Sequence, residues 1–237
     1  MNIVDTRAKN TFNFVKRKNI KNIPLFELSF LDHSIDISGY TDVIFQSTPS
    51  VEFFNHHKDL IDKNVFAMGP GTQSSLGTKG ISSKIPEDPG SEGLKKLIKS
   101  SIGSGKFLIV KGQGGLNIIS DYLEAEGAEV DTVQNYQRVR FSSYFDLSKE
   151  FDNVDVVIFP SRLAAEIYFQ EIYNPDINSK FITISSRIKD YVDSLGFESS
   201  QLDYFADNFE SEILNLSLIH ISEPTRLRRI SYAVFCL

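Results

Sequence analysis

Asp42-Val43-Ile44-Phe45-Gln46-Ser47 returns later in the chain as Asp155-Val156-Val157-Ile158-Phe159-Pro160-Ser161. Each copy is a short β-branched and aromatic run that ends on a hydroxyl, and each is followed by an aromatic pair, Phe53-Phe54 and Tyr168-Phe169. Working outward, Val65-Phe66-Ala67-Met68-Gly69-Pro70-Gly71-Thr72 and a helical run ending at Gly80 are answered by Phe181-Ile182-Thr183-Ile184-Ser185-Ser186-Arg187 and a run ending at Gly196. Ser47 and Ser161 lie 114 residues apart, Gly80 and Gly196 116. A steady offset of this length is far beyond the roughly 20–50 residues of a solenoid repeat. It predicts two similar α/β lobes with a cleft between them.

Runs rich in Val, Ile and Phe alternate with helical patterns along the whole chain, the signature of parallel sheets flanked by helices. Strands are expected at Asn2 to Val4, Pro24 to Ser29, Asp42 to Phe45, Val65 to Met68, Phe107 to Val110, Val154 to Phe159 and Phe181 to Ile184. Apolar spacing predicts helices over Ala8 to Lys18, Ser50 to His57, Gln73 to Lys79, Ser91 to Lys99, Leu116 to Glu126, Leu163 to Ile172, Ile188 to Leu195 and Gln201 to Leu214. The repeat does not begin at residue 1, because one βα unit precedes the first copy. Extended stretches at 23–30 and 130–141 therefore read as crossings between lobes. The expected plan is a discontinuous lobe A (1–30 and 142–215), a lobe B (34–132), and linker crossings at 31–33 and 133–141 that pair as two strands.

With 41% hydrophobic and 24% charged residues, the chain has an ordinary globular composition. No run approaches the roughly 18 consecutive apolar residues of a membrane span, and the first residues lack the design of a secretory signal. A cytoplasmic location is the expectation. Residues 216–237 resemble a translated sequencing-library adapter and are set apart from the fold as an expected artefact. Without their net +2, the body carries −8. Such acidity argues against nucleic-acid binding. The sole cysteine, Cys236, lies in that tail, so no thiol nucleophile, disulfide or thiolate metal site is expected in the body. His33, His56 and His57 show no metal-ligand spacing and read as surface residues.

Candidate site residues fall where strands end, the place where open α/β sheets bind ligands. Ser47, Gly69 to Thr72 and Ser161 each follow a strand; singly each reads as a helix cap, together as a shared polar surface suited to carboxylates. Gly112-Gln113-Gly114-Gly115 follows a strand and precedes a helix, so it either makes a tight turn or aims amides at an anion. It lacks both the dinucleotide spacing and a P-loop lysine, which disfavours nucleotides. Tyr136 lies on the second crossing, where a phenol with a pKa near ~10 can serve as a proton donor or simply pack on a strand.

Several segments, in this order, resemble the uroporphyrinogen-III synthase family: Thr6-Arg7, Ile44 to Ser47, Gly69-Pro70-Gly71-Thr72, Lys111 to Gly115, Gly127 to Tyr136 and Phe159-Pro160-Ser161. The resemblance implies two α/β lobes on a two-stranded linker and a cofactor-free, metal-free enzyme of tetrapyrrole biosynthesis. Its substrate is a linear tetrapyrrole, hydroxymethylbilane, which it closes with inversion of the terminal ring and loss of water, a hydro-lyase reaction. By the same resemblance Tyr136 matches a tyrosine thought to help the hydroxyl depart, and Arg7, Ser47, Thr72, Gly112 and Ser161 match substrate-binding positions. One departure stands out: the second lobe reads Ile184-Ser185-Ser186-Arg187-Ile188-Lys189 where the family has Ile-Gly-x-Thr-Thr-Ala, leaving Ser185, Ser186 or Arg187 as the candidate anchor there. The resemblance further implies a monomer in transient contact with the deaminase that makes the bilane. Two rival readings share these residues, a non-catalytic two-lobed binding protein or sensor and a nucleotide- or phosphosugar-dependent transferase.

Overall fold

The computed structural model describes residues 1–8, 19–103, 105–203 and 208–219. Among the described residues ten strands form two sheets: β1 (Ile3–Asp5), β2 (Ile20–Asn22), β3 (Phe26–Phe30), β4 (Asp42–Phe45), β5 (Asn64–Ala67), β6 (Lys106–Gly112), β7 (Glu129–Arg140), β8 (Val156–Phe159), β9 (Lys180–Thr183) and β10 (Ser199–Gln201). The first sheet has the order β10-β9-β8-β1-β2 and is parallel throughout. The second has the order β3-β7-β6-β4-β5, parallel except for the β3–β7 pair. Each sheet belongs to its own compact unit, and the unit holding the second sheet includes the uninterrupted stretch Ile23–Asp146.

Continuous apolar runs become central strands because both faces of each sheet are covered by helices. Along β4, Val43 and Phe45 join a core with Val51, Phe54 and Leu76, while Ile44 points to the opposite core with Leu94, Ile98, Ile119 and Leu123. Strand alternation sends neighbours to opposite faces, so one run of four residues feeds two cores. In the first sheet, Ile3, Val156, Ile158 and Ile182 pack against Phe209 and Ile213 of the helix Phe209–Ile219. On its aromatic side Phe159 and Phe181 meet Tyr168 and Phe169, with ring centroids 5.1 to 5.8 Å apart.

The repeat seen in sequence is a structural one. Ser47 and Ser161 both cap helices from extended backbone (φ −162° and −154°), each hydroxyl accepting an amide three residues on, from Ser50 and Ala164. Gly80 and Gly196 follow matched helices with φ of 76° and 88°, a conformation that favours glycine. The β4–β5 pairing Phe45↔Ala67 is matched by Phe159↔Thr183 in β8–β9.

Several expected elements differ. Gln201 to Leu214 is not one helix: Ser199-Ser200-Gln201 adds an edge strand to β9, and helix begins at Phe209. A polar edge strand carries no apolar signal, which hid it. The same lack of signal hid the three-residue β2. The helix expected over Ser50 to His57 runs instead over Thr48–Glu52, because Phe54 turns into the core, where it is 1% exposed, and a short 3-10 turn follows at His57–Leu60. Nearly all of the helix expected over Ala8 to Lys18 falls outside the described residues, as do residues 220–237. Among the described residues, no helix is long and apolar enough to cross a membrane.

Candidate active site

Because β4, β5 and β6 run parallel, their carboxyl ends fall on one edge of the second sheet. Ser47 follows β4, Thr72 lies in the first turn of the helix Pro70–Thr78 after β5, and Gly112 closes β6. The β6–β7 register is regular to Lys111↔Gln134 and then slips, so that Gly112 faces Tyr136. Asn135 is the residue skipped. It is fully buried, its Nδ2 donates to Ser50 O at 2.7 Å, and its carbonyl accepts from Leu31 N at 3.1 Å. A bulge of this kind re-aims the next side chain. Beyond it Tyr136 to Arg140 turn away from β6 and pair antiparallel with β3.

Tyr136 thereby meets three elements. Its ring lies against Gly112 so closely that a Cβ there would sit 2.4 Å from Tyr136 Cζ. Its hydroxyl is 3.0 Å from Ser47 Oγ, which also caps the helix Thr48–Glu52. Phe53, just past that helix, stacks on the phenol ring at 5.9 Å and 21°. Arg138, two residues along β7, lies 5.6 Å over the same ring, and its Nη2 donates to the phenol oxygen at 3.5 Å. Together these leave Tyr136 only 2% exposed.

The glycine loop is braced from beneath by Lys111, a buried residue whose Nζ donates to Gly115 O, Leu116 O and Asn117 Oδ1 at 3.2, 3.3 and 2.5 Å. Burial holds its ammonium below the usual lysine range, and the Asp121 charge offsets part of that. The loop is the tight turn of the sequence reading, with Gly114 at φ 68°, and it spends amides that an anion cradle would need. Gln113 N is consumed by Tyr136 O at 2.7 Å and Gly115 N by Gly112 O at 3.0 Å, and the following helix starts only at Ile118. Gly112 serves chiefly to make room for a tyrosine.

The structure thus brings Ser47, Gly112 and Tyr136 together, with Thr72 buried on the same sheet edge. In the other unit, Ser161 caps the helix after β8 and Ser185 opens the helix Ser186–Ser194 after β9, while half-buried Arg7, just past β1, is grouped with the unit of the second sheet. Ser185 makes no side-chain cap bond, while Ser186 and Arg187 are exposed. A cavity of about 660 Å³ lined by Tyr173, Ser179, Phe197 and Ser200 lies at the amino ends of β9 and β10, the edge opposite to these residues.

The histidines depart from expectation. They are half-buried rather than surface residues: His33, His56 and His57 surround Phe54 with ring centroids 5.7 to 6.3 Å away. Asn135, Phe53, Arg138 and Lys111 belong to the site but do not stand out in the sequence as site residues. The clue to Asn135 was a polar residue beside an aromatic inside a strand pattern; the other three show no signal until the strands are paired.

The family described as Uroporphyrinogen-III synthase HemD matches residues 20–210. A uroporphyrinogen-III synthetase from Helicobacter pylori, 15% identical, superposes with a TM-score of 0.69 over 91% of this chain and 99% of that one. A mutant uroporphyrinogen III synthase from Thermus thermophilus, 12% identical, superposes with a TM-score of 0.55 over 85% and 90%. No curated protein sequence matches this one. The two superpositions establish a shared fold, and the sequence match spans most of the chain, including every strand from β2 to β10 and the whole Tyr136 constellation: the chain belongs to the uroporphyrinogen-III synthase family, enzymes of haem biosynthesis.

Proposed function

We propose that the chain is itself a uroporphyrinogen-III synthase that closes hydroxymethylbilane without a cofactor, inverting the terminal pyrrole ring and releasing water. The observation that carries this reading is the Tyr136 phenol held 3.0 Å from Ser47 Oγ on the Gly112 shelf. Tyr136 passes its proton to the terminal hydroxyl as the C–O bond breaks, so that water and an azafulvene cation form. The last ring is attacked at its substituted carbon, and the resulting spiro intermediate opens and recloses with that ring inverted. The proton lost on rearomatisation restores the phenol, and the sum is bilane to uroporphyrinogen III plus water. A bilane closes unaided without inversion, so the protein must hold one fold of the substrate and shield the cation from wrong closure.

Thr72 and the matched positions Arg7 and Ser161, with Ser185 or Ser186 standing in for the family's threonine, are assigned to substrate carboxylates. The reading carries with it a cytoplasmic monomer that receives its bilane in transient contact with the deaminase. An assay in which that deaminase supplies substrate, with the products oxidised and separated as isomers I and III, tests it. Isomer III should predominate, and Tyr136→Phe should lower its rate by about 100-fold, the scale of general acid catalysis. A folded wild-type protein that leaves only isomer I refutes the synthase reading. An undiminished rate in Tyr136→Phe removes the acid role alone.

A further inference from the structure

A proton donor that is 2% exposed cannot reach a substrate until something uncovers it. Among the described residues four groups lie against Tyr136, and three are fixed. Gly112 belongs to the β6 ladder. Ser47 is tied in a reciprocal cap, its N donating to Ser50 Oγ at 3.2 Å and its Oγ accepting from Ser50 N at 3.3 Å. Phe53 is stacked on Tyr136 and backed by a tilted Phe30, with centroids at 5.9 and 6.5 Å. The fourth is Arg138, an exposed side chain whose bonds to Tyr136 Oη and Gln113 O span 3.5 and 3.4 Å, the outer limit of hydrogen bonding.

Arg138 also differs from the other basic group at the loop. Lys111 is buried and spends its ammonium on three oxygens beneath the loop, whereas the Arg138 guanidinium lies on the outer side, over the phenol. A guanidinium pairs with a carboxylate through two short bonds in which both partners are charged, stronger than two long bonds to neutral oxygens. On a chain of net charge −6, a polycarboxylate needs such a local cation.

We infer that Arg138 is a carboxylate-binding residue that covers the Tyr136 phenol in the free protein and leaves it when it pairs with an acidic group of the substrate. This deepens the proposed function and rests on it for the identity of the substrate. Carboxylate capture and exposure of the proton donor are then one event, so the acid is presented only to a ligand carrying an anion at the correct distance.

Two variants, Arg138→Gln and Arg138→Lys, test the inference through equilibrium binding of uroporphyrin III, the oxidised octacarboxylate product, and through nitration of Tyr136 by tetranitromethane, mapped by peptide mass spectrometry. Arg138→Gln should weaken uroporphyrin binding by about tenfold, the loss of one charge-assisted pair. It should also flatten the dependence of that binding on ionic strength, and Tyr136 should nitrate faster than in wild type. Arg138→Lys should recover part of the affinity and of the salt dependence. In turnover the Gln variant should raise KM more than it lowers kcat. Unchanged affinity and nitration in Arg138→Gln overturn the inference, as does a wild-type protein that does not bind the octacarboxylate. If wild type yields only isomer I yet binds uroporphyrin through Arg138, the synthase reading falls and the carboxylate site stands.

Discussion

The chemistry of the site turns on a residue with no side chain. At Gly112 the missing Cβ is space that Tyr136 occupies, and the same contact sets the phenol toward Ser47. In Gly112→Ala the new methyl would overlap Tyr136 Cζ at 2.4 Å, with Tyr136 backed by Phe53. Overpacking of this kind costs roughly 1–3 kcal/mol. The melting temperature should fall by roughly 2–12 °C in a chain of this size, and isomer III formation should fall with it, because the phenol must leave Ser47. A wild-type melting curve and rate for Gly112→Ala would show that the ring has other room, and would detach Gly112 from the site. Sequence alone offered a tight turn or an anion cradle for this glycine. Neither reading could see Tyr136, which lies 24 residues on and arrives only through a slipped register at Asn135.

Elements were legible wherever one force dominated. Buried parallel strands announce themselves as apolar runs, and helix starts at Ser47 and Ser161 announce themselves as caps, since extended backbone and a hydroxyl three residues before an amide are local properties. The polar edge strand β10 and the bulge in β7 are decided by partners far along the chain, so they left no local trace. The segment after Glu52 shows the same limit. Its aromatic and histidine residues fold inward around Phe54, and His57 Nε2 bonds Val51 O at 2.8 Å. Burial is the largest influence on His57 and lowers its pKa from the ordinary 6.5. A histidine whose folded pKa is depressed adds stability that is complete above 6.5 and is lost as pH falls through the folded value. NMR titration of His57 should give a midpoint below 6.5, and His57→Gln should flatten the acid side of the stability curve. A midpoint at or above 6.5 would mean that the ring is solvated and that the helix end owes it nothing.

The two sheets are one design threaded in two ways. In the second, β6 lies between β4 and β7, and Phe66 forms an additional parallel bridge to Lys84 outside β5. In the first, β1 takes the place of β6, β2 that of β7, and β10 that of the Lys84 bridge. The order of neighbours is preserved while the order along the chain is rotated, which is why the repeat appears in sequence only from β4 and β8 onward. This threading has a consequence for folding. All five strands of the second sheet, and both of the cores that cover it, come from Ile23–Asp146 without interruption. The first sheet cannot close without β1 between β8 and β2, and β1 and β2 come from the far end of the chain. A fragment spanning 23–146 has the length of an ordinary independent domain and should fold alone, with a cooperative thermal transition and an ordered aromatic signal in near-ultraviolet circular dichroism. A fragment spanning 147–219 should show neither, because the inner edge of β8 would be unpaired and the core around Ile158 would lack Ile3 and Ile20. Adding residues 1–22 as a separate peptide should restore its transition. A 23–146 fragment that melts without cooperativity would show that its sheet depends on the other unit, and the independence of the two units would have to be given up.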